Sequence, residues 1–101
     1  MGGSKTVGVP LARLYAAWTD PRILRKWLPD APFTVRRATA QKSLRVTWAD
    51  GSDLQVGFYG KGDRKAQVSV DHRKLPDSAA VERARAFWKG RLEALRQVLE
   101  G

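Results

Sequence analysis

The sequence predicts an α+β fold, a short twisted antiparallel sheet of about five strands with two short N-terminal helices and a long C-terminal helix packed across one face. Apolar residues recur at helical spacing near both ends of the chain. Through the middle they recur every second residue, the period of a half-buried strand. Glycine, aspartate and proline punctuate the junctions between the two regimes.

Residues 1–4 have the composition of a flexible leader, and the domain is expected to run over residues 5–101. Residues 5–9 read as a short first strand. Pro10 fits the first position of a helix in which Leu11, Leu14, Tyr15 and Trp18 share one face. Asp20 followed by Pro21 is a second helix start, since a carboxylate accepts from free amides while proline presets the first turn. Ile23, Leu24, Trp27 and Leu28 form its apolar face, and Pro29 ends it. Residues 33–38 read as a weaker strand, with Phe33, Val35 and Arg37 pointing one way.

In residues 43–48 the alternation is clean, with Leu44, Val46 and Trp48 on one side and Ser43, Arg45 and Thr47 on the other. Residues 49–52 have the turn chemistry of a hairpin, and Leu54, Val56 and Phe58 continue the apolar face on the returning strand. After a turn at residues 60–63, Ala66, Val68, Val70 and, by parity, His72 point inward. Asp77 or Ser78 caps the last helix. There Val81, Ala84, Trp88, Leu92, Leu95 and Leu99 form a stripe, widened by Phe87 and Val98, that requires an apolar partner.

The 101 residues suffice for one core. Apolar residues make up 43% and charged residues 29%, an ordinary globular balance. No run suits a membrane span, and a cytoplasmic location is expected. With no cysteine and one histidine, neither a disulfide framework nor a zinc constellation is available, and neither metal nor cofactor is expected. The net charge of +9 raises the question of a polyanionic partner. Its cations are dispersed between Lys5 and Arg96 without a block, so the expectation is a solvated basic surface, with nucleic acid not expected beyond weak, salt-sensitive association.

The order of elements, together with residues 9–29, 44–62, 70–77 and 87–100, resembles the START-related helix-grip superfamily (SRPBCC). Within it the chain is similar to the C-terminal domain of the heat-shock-protein-90 ATPase activators. The most specific pieces are Trp18 with Asp20, Pro21 and Trp27, the hairpin from Trp48 to Gly51, and Trp88, Leu92 and Leu95. The resemblance implies a sheet gripping a long helix, with a cavity or groove between them for an apolar or amphipathic molecule. It also implies, as alternatives, a chaperone ATPase co-factor or a cyclase-like or hydrolase-like enzyme. Relatives of this kind have a further strand pair where this chain has only Asp30, Ala31 and Pro32, which leaves less room for a cavity.

The candidate ligand-binding residues are His72, Arg91, Trp18, Trp27, Trp48, Phe58, Trp88 and Leu92. The four tryptophans could form an aromatic box, but each falls at a core-facing position where plain packing also accounts for it. His72 is the one side chain that titrates near neutrality by default, yet no nucleophile motif accompanies it, so a structural histidine is the competing reading. Arg91, inside the last stripe, suits an anion handle for an acidic ligand or a side chain running its methylenes along the core edge. The expectation is a non-enzymatic domain binding a small apolar or amphipathic molecule, or a protein partner, between sheet and helix.

Overall fold

A computed structural model of the chain describes residues 1–29, 33–48 and 51–101. Its strands are β1 (Gly2–Val7), β2 (Phe33–Thr39), β3 (Ser43–Trp48), β4 (Asp53–Gly62) and β5 (Lys65–Arg73). Its helices are α1 (Leu11–Thr19), α2 (Pro21–Trp27) and α3 (Ser78–Glu100). The five strands form one antiparallel sheet in the order β1-β5-β4-β3-β2, which is the helix-grip architecture expected from the sequence.

Three local differences from the sequence expectation have physical causes. First, the strand expected at residues 5–9 begins at Gly2, because residues 2–7 pair with β5 and the Met1 ammonium donates to the His72 carbonyl at 3.0 Å. Tertiary pairing orders a segment whose composition suggested a flexible leader. Second, Pro10 precedes α1 as its cap residue, and its carbonyl accepts from the Arg13 and Leu14 amides. Third, the β2–β3 register shifts between Val35 and Arg37, so that Arg37 stands opposite Arg45 on the outer face rather than beside Phe33 and Val35. A bulge of this kind inserts one unpaired residue and reverses the parity beyond it. Of the hairpin residues 49–52, Ala49 and Asp50 lie outside the described residues; Gly51 takes φ +86°, which favours glycine.

The core lies between the inner sheet face and the helices. Val7, Leu44, Val46, Leu54, Val56, Phe58, Ala66, Val68 and Val70 form the sheet side, and all are buried. Trp88, Leu92, Leu95 and Leu99 close it from α3, with Leu14, Trp18, Trp27 and Leu28 from the N-terminal helices. The two expected carboxylate caps are present: Asp20 accepts from the Arg22 amide at 3.0 Å and Asp77 from the Ala80 amide at 2.8 Å. Charged contacts then lash α3 to β1 and the turn after it, with Lys5 Nζ 2.6 Å from Glu93 Oε2 and the Gly8 amide donating to Glu100 at 2.9 Å.

Candidate functional site: an apolar groove between the sheet end and the last helix

At one end of the sheet–helix interface the packing leaves an open groove of about 260 Å³, lined by Trp48, His72, Leu75, Ala80, Arg83, Ala84, Phe87 and Trp88. Its floor is the buried pair His72 and Trp88, and its rim carries Phe87, 40% exposed, and the exposed Arg83. Trp48 stands edge-on to Phe87, Trp88 and His72 at centroid distances of 5.7, 5.4 and 5.8 Å. Phe33 stacks on the other side of Trp48 at 6.0 Å. The aromatic wall is therefore braced from both sides, a preformed surface of the kind small-molecule sites use.

The floor contains a buried polar relay. Trp88 Nε1 lies 3.2 Å from His72 Nδ1, and His72 Nε2 lies 2.7 Å from Ser52 Oγ. An indole nitrogen only donates, so His72 Nδ1 must be the acceptor. A neutral imidazole then carries its proton on Nε2 and directs it at the Ser52 oxygen. The relay fixes both the ring orientation and the tautomer. It gives the groove one polar seam in an otherwise apolar floor.

The other candidate residues divide sharply. Trp48, His72 and Trp88 meet at the groove. Trp18, Trp27, Phe58 and Leu92 lie in the solid core, where Trp18 stacks on Trp88 at 5.9 Å and meets Trp27 edge-on at 4.7 Å. Arg91 is turned elsewhere: its Nη1 donates to the Trp27 carbonyl at 3.1 Å, satisfying a free carbonyl at the C-terminal end of α2. Trp27 does the equivalent for α1. The Ala17 carbonyl would bond to the amide of residue 21, but Pro21 has none, and Trp27 Nε1 donates to it at 2.9 Å instead. The pairing of Trp18 with Asp20, Pro21 and Trp27 is thus a joint between two short helices.

Arg83, Phe87 and Ser52 were not among the sequence candidates. Phe87 was legible as the margin of the α3 stripe, and Arg83 lies one turn before it on the same side. Ser52 gave no such signal, since its burial beside His72 depends on the pairing of β4 with β5.

A sheet gripping a long helix with an apolar groove at its end defines a helix-grip domain, and solved structures of that fold match almost the entire chain. An AHSA1-like protein from Rhizobium etli is 17% identical, with a TM-score of 0.78 over 97% of this chain and 79% of its own. An Hsp90 activator from Plasmodium falciparum is 15% identical, with a TM-score of 0.78 over 99% of this chain and 95% of its own. A conserved protein of unknown function from Enterococcus faecalis is 14% identical, with a TM-score of 0.83 over 97% of this chain and 69% of its own. No known family's sequence profile matches the chain, and no curated protein matches it in sequence. At these identities the shared property is the fold. Among the described residues, no helix is long and apolar enough to cross a membrane.

Proposed function

We propose that the domain is a non-catalytic binding module for a small amphipathic molecule, an aromatic ring or short alkyl chain bearing an acidic group, held in the groove beneath Phe87. The observation that carries this reading is the opening itself: an apolar, aromatic-walled groove with a polar seam on its floor and a guanidinium at its rim. Its volume of about 260 Å³ suits a small ligand. Arg83 takes the role of anion handle, because Arg91 is committed to the Trp27 carbonyl. The rim is solvated, so charge pairing there contributes modestly.

Titration with octanoate, octanol and simple aryl acids, followed by tryptophan fluorescence, tests the proposal. Saturable binding is expected, with Phe87→Ala weakening acid and alcohol alike. Arg83→Met should weaken the acid alone, by about fivefold or less for a solvent-exposed ion pair. Absence of saturable binding, or binding indifferent to Phe87→Ala, would reject the groove as the site.

A further inference from the structure

The outer face of the sheet, turned away from α3, carries an independent feature. The strand registers set its side chains in transverse rows. Arg37, Arg45, Gln55 and Asp71 are successive cross-strand partners and form one row. The next outward row along the strands is Thr39, Ser43, Gly57 and Ser69, all short. Beyond it, two residues after Gly57, stands Tyr59, 53% exposed. Tall walls therefore flank a low floor, producing a trough of about 490 Å³ lined by Arg37, Arg45, Gly57 and Tyr59 among others. A second basic groove of about 480 Å³, lined by Arg36, Arg73 and Lys74, continues from it through the shared Arg37, Arg45 and Gln55.

The charge in this trough is unbalanced. Arg73 pairs with Asp71 at 2.6 Å and Lys74 with Asp53 at 3.2 Å, but among the described residues no carboxylate pairs with Arg36, Arg37, Lys42 or Arg45. On α3 the cations are mixed: Arg85 is met by Glu82, and Arg96 by Glu93 and Glu100, whereas Arg83, Lys89 and Arg91 pair with no carboxylate among the described residues. Two features concentrate the positive charge further. The bulge after Val35 brings Arg36 as well as Arg37 over the outer face, where Arg36 Nη1 reaches Thr47 Oγ1 at 3.5 Å. Arg37 also stands directly opposite Arg45, an arrangement that costs a sheet stability. On the opposite wall, a Cβ at Gly57 would stand 2.8 Å from the Tyr59 hydroxyl and 3.2 Å from two ring carbons, so the far end of the ring leans back over Gly57. The ring thus lies close to the sheet yet remains 53% exposed, available for stacking.

We infer that the outer sheet face binds single-stranded nucleic acid, with bases stacking on Tyr59 and phosphates held by Arg36, Arg37, Lys42 and Arg45. A positive groove beside an exposed aromatic ring is the combination that recognises single strands without base readout. The recess favours a strand over a lipid surface, since headgroups on a membrane plane cannot enter a trough walled by side chains. The site shares no residue with the groove beneath Phe87, so either can fail without the other.

Fluorescence anisotropy of the full chain with a labelled oligothymidylate of about 12 nucleotides tests the assignment. Binding at 50 mM salt is expected, weakening with a log–log salt slope of about −2 to −3 for three or four phosphate contacts at roughly −0.7 each. Replacing both Arg37 and Arg45 with Thr should reduce the steepness of that slope by about 1.4. Tyr59→Ala should weaken oligonucleotide binding about tenfold while leaving heparin binding unchanged, because heparin carries charge without bases. Far-UV circular dichroism checks that both variants retain the fold. Several outcomes would overturn the inference: no binding at low salt, a slope unmoved by the double arginine replacement, or equal effects of Tyr59→Ala on oligonucleotide and heparin. Tighter binding of duplex than single strand, or sedimentation with phosphatidylserine vesicles in place of oligonucleotide binding, would also overturn it.

Discussion

The two faces of this one sheet follow opposite rules. The inner face is packed against the helices except at the groove: apart from Val35 on the edge strand, its valines and leucines are buried, and its polar atoms include His72, oriented between Trp88 and Ser52. The outer face is open and electrostatically unfavourable, with two arginines directly opposed and relieved by no carboxylate among the described residues. The inner arrangement maximises stability. The outer one gives some of it up, as binding surfaces commonly do.

This contrast can be broken from either side. The largest expected effect is Trp88→Ala, which removes the ring stacked on Trp18 and the donor to His72, and should destabilise by about 3–5 kcal/mol in urea denaturation. Tyr59→Ala on the opposite face should stay within about 0.5 kcal/mol; comparable losses from both would refute the contrast between a packed and an open face.

The next effect separates two buried tryptophans of the same size. Trp27 Nε1 donates to the Ala17 carbonyl, whereas Trp18 Nε1 has no hydrogen-bond partner among the described residues. Trp27→Phe should therefore cost about 1–2 kcal/mol more than Trp18→Phe, since only the former also strands a carbonyl. Equal losses would show that ring volume alone matters at this joint. Arg91→Met should follow at about 1 kcal/mol, through the lost bond to the Trp27 carbonyl, without altering ligand affinity at the groove.

On the outer face the sign should reverse. Arg45→Thr removes one of two facing like charges and adds a residue suited to strands, so a gain of about 0.2–1 kcal/mol is expected, visible as a higher denaturation midpoint. A loss would mean that Arg45 contributes packing outweighing the repulsion.

The smallest effect is the pH response of the clasp between β1 and α3. The Glu93 carboxyl is lowered from 4.5 to about 2, first by its hydrogen bond from Arg96 and then by that from Lys5. The folded state thus binds this proton less readily than the unfolded chain. Its contribution is complete above about pH 5 and fades as pH falls towards 2. Glu93→Gln should remove that part of the acid-induced loss of stability and nothing near neutrality beyond the ion pair itself. Identical acid limbs for both proteins would dismiss the clasp as an exposed pair of no consequence.

Periodicity in the chain alone determined the α+β class, the helices, the strands in outline and most of the inward set of residues, because burying one face of each element constrains every second or every third and fourth residue. It also determined the caps at Asp20 and Asp77, which act within a few residues of themselves. Tertiary structure decided the rest, for reasons that parity cannot encode. One inserted residue after Val35 moved Arg37 to the opposite face. The missing amide of Pro21 took Trp27 away from any ligand box, and the free carbonyl at the end of α2 did the same for Arg91. The ordering of residues 2–4 and the opposition of Arg37 to Arg45 both depend on strand register between segments distant or offset in sequence, and register is fixed only when the whole sheet closes on its core.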